Sequence, residues 1–159
     1  MAICSPVMLC HGKGVPRLIL LRHAKAEPHR TDDHSRVLAA RGRADAEAVK
    51  ALIGSLSPEL AVVSTSARTR ETWALADPGG VLAVFDDRVY EASAEDLREV
   101  LGEVTVGSAV LVGHNPSIER LAWELEPNDD TNRGMRTCGV AVFEVADWTL
   151  GGARMTAWH

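Results

Sequence analysis

Cysteine is sparse in this chain of 159 residues: Cys4, Cys10 and Cys138 form an odd set without CxxC spacing. That excludes a disulfide framework and reads as reduced thiols in a cytoplasmic protein. A zinc site on Cys4, Cys10 and His11 fits no standard ligand spacing. Positive charge is also short, with 17 Lys and Arg against 22 Asp and Glu and a net charge of -5. Nucleic-acid and anionic-membrane surfaces usually carry a basic footprint, so neither partner is expected, and any phosphate must be gripped locally. No apolar run approaches the roughly 20 residues needed to span a bilayer. Residues 1–16 lack a basic start and contain Pro6, which argues against a signal peptide. They read as a frayed N-terminal extension, with Met8 as an alternative start. Residues 17–159 contain no repeat, low-complexity tract or linker and are expected to form one domain.

What is present is alternation. The runs "RLILL" (17–21), "LAVV" (60–63), "VLAVF" (81–85) and "AVLVG" (109–113) are nearly continuous apolar stretches, as expected of parallel strands covered on both faces. Between them lie amphipathic patterns. Ala44, Ala48, Val49, Leu52, Ile53 and Leu56 share one helical face; so do Leu97, Val100, Leu101 and Val104, and then Ile118, Leu121, Ala122 and Leu125. Ser66 is placed to cap the helix carrying Arg68. Ser93 with Asp96 forms a capping-box pattern, and Asn115 before Pro116 reads as an N-cap with proline at the first helical position. After about residue 127, "CGVAVFEV" (138–145) and "GARMTAW" (152–158) read as a closing antiparallel pair, and 126–134 as an exposed loop. The expected architecture is α/β: a three-layer helix-sheet-helix sandwich with a mostly parallel central sheet.

In such a sheet the ligand crevice lies beyond the carboxyl ends of the strands. Arg22-His23, the segment Ser64 to Arg68, Tyr90-Glu91 and Gly113-His114-Asn115 all fall on that edge. Arginine forks and a helix N-terminus grip phosphate oxygens, so Arg22 and Arg68 are phosphate ligands, with Asn115 beside them. A neutral imidazole attacks phosphorus well, and nearby guanidinium groups discourage its protonation; His23 is the nucleophile. His114 would donate a hydrogen bond to the transferring group. Glu91 is the candidate proton donor to the leaving group and base for water. His29, Asp32, Asp33 and His34 show no ligand spacing and read as a solvated loop, so no metal is expected.

These residues resemble a known family. "LLRHAKAE" is similar to the Arg-His-Gly or Arg-His-Ala signature of the histidine phosphatase superfamily, also called phosphoglycerate mutase-like, and "VLVGHNPSIE" to its second-histidine motif. "STSARTRET" resembles the intervening Ser-Pro-x-x-Arg-Ala-x-x-Thr segment, with Thr65 and Thr69 where the family often has Pro and Ala. "SRVLAARGRADA" (35–46) resembles the stretch Arg-Pro-Leu-Thr-x-x-Gly. The ordered match spans about residues 17 to 145. The short length and the Arg-His-Ala-Lys and His-Asn-Pro forms are similar to the SixA-type branch, the small phosphohistidine phosphatases.

The resemblance implies a phosphohistidine intermediate on His23, a pocket completed by Arg22, Arg68 and His114, and neither metal nor organic cofactor. The longer mutases carry a helical insertion that supplies their acid; here about twenty residues separate "VLAVF" from "AVLVG", which speaks against mutase activity. The expected partner is a phosphorylated protein, with a small phosphorylated metabolite as the alternative. Two other classes predict different behaviour: a phosphate-binding module would survive loss of His23, and a metal-dependent hydrolase on His29 and His34 would be inhibited by chelators.

Overall fold

The structure is a computed structural model and describes residues 14–29, 31–127 and 134–159. Most of the expected extension, Met8 included, and residues 128–133 of the expected loop lie outside the described residues. Among the described residues six strands form one sheet: β1 (Arg17–Arg22), β2 (Leu60–Ser64), β3 (Leu82–Asp86), β4 (Ser108–Gly113), β5 (Val140–Glu144) and β6 (Arg154–Trp158). Their order is β3-β2-β4-β1-β5-β6. The first four run parallel, whereas β5 pairs antiparallel with both β1 and β6.

Five α-helices among the described residues cover the sheet: α1 (Ala40–Ala48), α2 (Lys50–Ser55), α3 (Ala67–Ala76), α4 (Ala94–Gly102) and α5 (Ser117–Leu125). The two-residue period of a strand explains the layers. Leu18 and Leu20 of β1 pack with Leu97, Leu101, Ile118 and Leu121 from α4 and α5. Ile19 and Leu21 pack with Ala46, Ile53 and Trp73 from α1, α2 and α3. Both faces of β1 and β4 are thus covered, and an unbroken apolar run is the sequence that fits such a position. The fold is the expected three-layer sandwich. No described helix is long and apolar enough to cross a membrane.

Three local expectations are corrected. β3 is apolar but is an edge strand, so Leu82, Val84 and Phe85 remain 66%, 44% and 44% exposed rather than covered on both faces. The pattern at 44–56 forms two helices separated at Val49, with Ala44 and Ala48 exposed and Gly42, Ala46 and Ile53 buried. The helical period was readable there, but its phase is set by a close approach: a Cβ on Gly42 would overlap the carbonyl oxygen of Lys25. Finally, the N-cap of α5 is Pro116 rather than Asn115. The Asn115 side chain is drawn away by tertiary partners, donating to Glu119 Oε2 at 2.9 Å and to the Met135 carbonyl at 3.1 Å. Ser93 and Asp96 do form the capping box, while Ser66 occupies the N-cap of α3 with its hydroxyl paired to that of Thr69 at 2.7 Å.

Gly42→Ala is expected to lower the unfolding free energy by about 1–3 kcal/mol, since overpacking against backbone leaves nothing flexible to yield. Urea unfolding should show a lower midpoint with an unchanged m-value.

Candidate active site

Parallel strands bring their carboxyl ends to one edge, and the side chains that follow them converge there. The His23 backbone leaves β1 tied to β4, its N–H donating to the Gly113 carbonyl at 3.0 Å. The rings of His23 and His114 are both buried, with centroids 5.2 Å apart. Tyr90, the single tyrosine of the chain, stands edge-on to His114 at 5.6 Å.

Hydrogen-bond partners decide where each ring carries its proton. His23 Nδ1 lies 2.8 Å from the Ala24 carbonyl oxygen. That oxygen can only accept, so Nδ1 holds the proton and Nε2 keeps its lone pair. The peptide of Ala24 is itself held in place: its N–H donates to Thr72 Oγ1 at 3.0 Å, and Thr72 Oγ1 donates to the Arg68 carbonyl at 2.7 Å. His114 has the opposite tautomer. A guanidinium nitrogen of Arg68 lies 3.2 Å from His114 Nδ1 and can only donate, leaving Nε2–H to donate to Ser64 Oγ at 2.8 Å.

Both rings are neutral at physiological pH. Burial pushes His23 down to about 4, with the charges of Arg68, Arg22 and Arg36 adding to it against the opposing bond to Ala24. Burial and then Arg68 push His114 to about 3. A neutral imidazole with a free Nε2 beside fixed cations is a nucleophile ready for an anionic electrophile.

The arginines are differently engaged. Arg68 is 5% exposed and donates to the Asp33 backbone carbonyl at 2.7 Å and to Asp33 Oδ2 at 3.0 Å. Arg22 donates to the Met135 carbonyl at 2.7 Å. The Nε atoms of both are buried without a hydrogen-bond partner among the described residues. Glu119 secures this corner, accepting from the Met135 N–H at 2.7 Å as well as from Asn115.

The structure therefore brings Arg22, His23, Arg68, His114 and Asn115 to one crevice edge. Glu91 follows Tyr90 there, in a left-handed conformation with φ of 55°, but its side chain is exposed and makes no hydrogen bond among the described residues. Asp33 and Tyr90 were not singled out for a role by the sequence. The loop carrying His29, Asp32, Asp33 and His34 is largely exposed, as expected, yet it is held in place: it is closed by the Ala26–Leu38 bridge and tied to α3 by the Ala67 N–H on the His34 carbonyl at 2.9 Å. Asp33 Oδ2 then accepts from both Arg68 and the Tyr90 hydroxyl, the latter at 2.9 Å. Burial pushes the Asp33 carboxyl up, but those hydrogen bonds and the charges of Arg68 and Arg36 outweigh it and hold it below the usual carboxylate range. A lone tyrosine next to a strand end was the available signal for Tyr90; nothing local marked Asp33.

An α/β sheet whose strand ends deliver two neutral histidines and two arginines to one crevice defines a phosphatase of the phosphoglycerate mutase-like fold. The family model of the histidine phosphatase superfamily (branch 1) matches residues 18–105, and the chain belongs to that family. It is 30% identical over 155 residues to the uncharacterized protein Rv1276c of Mycobacterium tuberculosis, covering 87% of this chain and 98% of that one. Among solved structures it is similar to a candidate phosphohistidine phosphatase SixA of Agrobacterium tumefaciens, at 30% identity and a TM-score of 0.80 over 92% of this chain and 99% of that one. A candidate SixA of Nakamurella multipartitia matches at 26% identity and 0.78 over 92% and 96%.

The two depressed histidines make stability depend on pH. Between about 4 and 6.5 the unfolded chain binds protons at positions 23 and 114 that the native state refuses, so unfolding free energy rises with pH through that window and levels off above it. Urea midpoints measured from pH 4 to 8 should follow this course, and His114→Gln should flatten it.

Proposed function

We propose that this phosphatase removes the phosphoryl group from phosphohistidine on a protein, by way of a phosphohistidine intermediate on its own His23. The observation that carries the reading is the orientation of His23: Nδ1 is pinned to Ala24, so the unprotonated Nε2 is the atom left to attack. The lone pair of Nε2 forms a bond to phosphorus while the bond to the leaving nitrogen breaks. Water then attacks the phosphoenzyme, and the P–Nε2 pair returns to His23.

Arg22 and Arg68 are assigned to the oxygens of the transferring group, where preorganised charge is worth most. Arg68 would keep its contacts with Asp33 and offer phosphate the N–H groups that those contacts leave over. His114 would join them once a phosphoryl dianion draws a proton onto the ring, since its one N–H is directed at Ser64. Asn115 borders the same pocket.

Two features favour a phosphoramidate over an ester. Glu91 makes no hydrogen bond among the described residues, and a phosphoramidate nitrogen needs far less help from an acid than an alkoxide does. The connection from Asp86 to Ser108 holds one tight helical turn, Asp87–Val89, and α4, so this connection itself brings no helical insertion over the crevice, which suits a group carried on a protein surface. The similarity to the two SixA-type structures supports the same substrate class.

The test is phosphate release with EDTA present, from a phosphohistidine protein and a panel of phosphomonoesters. The protein substrate should be preferred, and His23→Ala should abolish release; a preference for a monoester would move the function to metabolite hydrolysis, and phosphate binding without turnover would sink the enzyme reading. Arg68→Ala is expected to cost about 3 kcal/mol in kcat/KM, roughly a hundredfold.

A further inference from the structure

We infer that Asp33 makes the site selective for a phosphorylated imidazole, by accepting the N–H on the far nitrogen of the leaving ring. This deepens the proposed function and rests on it for the substrate class. The argument begins with the attacking ring. His23 keeps its proton on Nδ1, held by the Ala24 carbonyl, while Nε2 forms the bond to phosphorus. A leaving imidazole is the mirror image of that step. If its far nitrogen keeps a proton, the P–N bond breaks with its electron pair going to the near nitrogen, and the ring departs as neutral imidazole. No acid is then needed at the scissile nitrogen, but an acceptor is needed at the far one.

Asp33 is built to be that acceptor. It is anchored from three directions: Arg68 holds its backbone carbonyl at 2.7 Å and its Oδ2 at 3.0 Å, and the Tyr90 hydroxyl holds Oδ2 at 2.9 Å. Among the described residues Oδ1 accepts no hydrogen bond: it is ion-paired with Arg36, whose Nε stands 3.6 Å away, and His29 Nδ1 lies at 3.9 Å. The Asp33 side chain is 41% exposed while its partner Arg68 is buried, so the carboxylate can be reached from solvent and the guanidinium lies beneath it. A fixed negative charge here stabilises an N–H bearing, partly cationic leaving ring. The same charge repels the developing alkoxide or phenoxide of an ester, so discrimination comes from both signs at once.

The experiment compares kcat/KM for phosphoimidazole and phenyl phosphate in the wild type, Asp33→Asn and Asp33→Glu. Asparagine keeps an oxygen for Arg68 and Tyr90 and leaves the backbone contact untouched, so it removes the charge with little change of shape. Asp33→Asn should lower the ratio of the two values, phosphoimidazole over phenyl phosphate, by roughly ten- to a hundredfold, the worth of one charged hydrogen bond. Asp33→Glu should recover part of the preference. An equal fall for both substrates would show that Asp33 merely positions Arg68 and would overturn the inference; so would no change in either, or a wild type that hydrolyses phenyl phosphate but not phosphoimidazole. If phosphoimidazole is hydrolysed with this Asp33 dependence but a phosphohistidine protein is not, the protein-substrate reading fails and the role of Asp33 stands.

Discussion

A carbonyl oxygen cannot donate, and the 2.8 Å contact between His23 Nδ1 and the Ala24 oxygen therefore fixes which ring nitrogen is free. Much of the crevice serves that contact. The Ala24 peptide is oriented by Thr72, and Thr72 is bonded in turn to the backbone of Arg68, so α3 positions the nucleophile and the chief cation together. On the other side, the His23 N–H is fastened to β4 immediately before His114. The spacing of Arg68 and Thr72 within one motif thus has a mechanical reason: one turn of helix separates the guanidinium from the hydroxyl that sets the imidazole.

Burial is the second condition. His114 touches the buried Arg68 guanidinium and His23 feels its charge, so either ring would be repelled if it were protonated, and desolvation keeps both neutral. The cost is borne by the sheet, whose apolar strands make a platform stiff enough to hold polar groups at their tips. Leu18 to Leu21 are entirely buried, two on each helical layer, which is why the strand can carry Arg22 and His23 at its end without yielding.

Much of this was legible beforehand. Continuous apolar runs announced parallel strands, and parallel strands oblige their carboxyl ends to share an edge, so Arg22, His23, Arg68 and His114 could be grouped without coordinates. The capping box at Ser93 was readable because it is closed within four residues. Less local features failed in recognisable ways. Alanine marks no face, so the phase of α1 was set instead by the approach of Gly42 to Lys25. Asn115 had the chemistry of a cap but found Glu119 and Met135 instead. β3 had the composition of a central strand and the position of an edge.

The sequence by itself determined the fold class, the family and the residues delivered by strand ends, because periodicity and short motifs are local and the sheet converts them into position. Only the tertiary structure decided the tautomers of the two histidines and the engagement of Arg68 and Tyr90 with Asp33. The His23 contact is to the next residue but needs the peptide orientation that Thr72 imposes from 48 residues away, and the others are hydrogen bonds whose partners lie 35, 46 and 57 residues apart. No periodic pattern connects such positions; they meet because the loop before α1 is drawn onto the start of α3, and that path exists only once both have packed on the sheet.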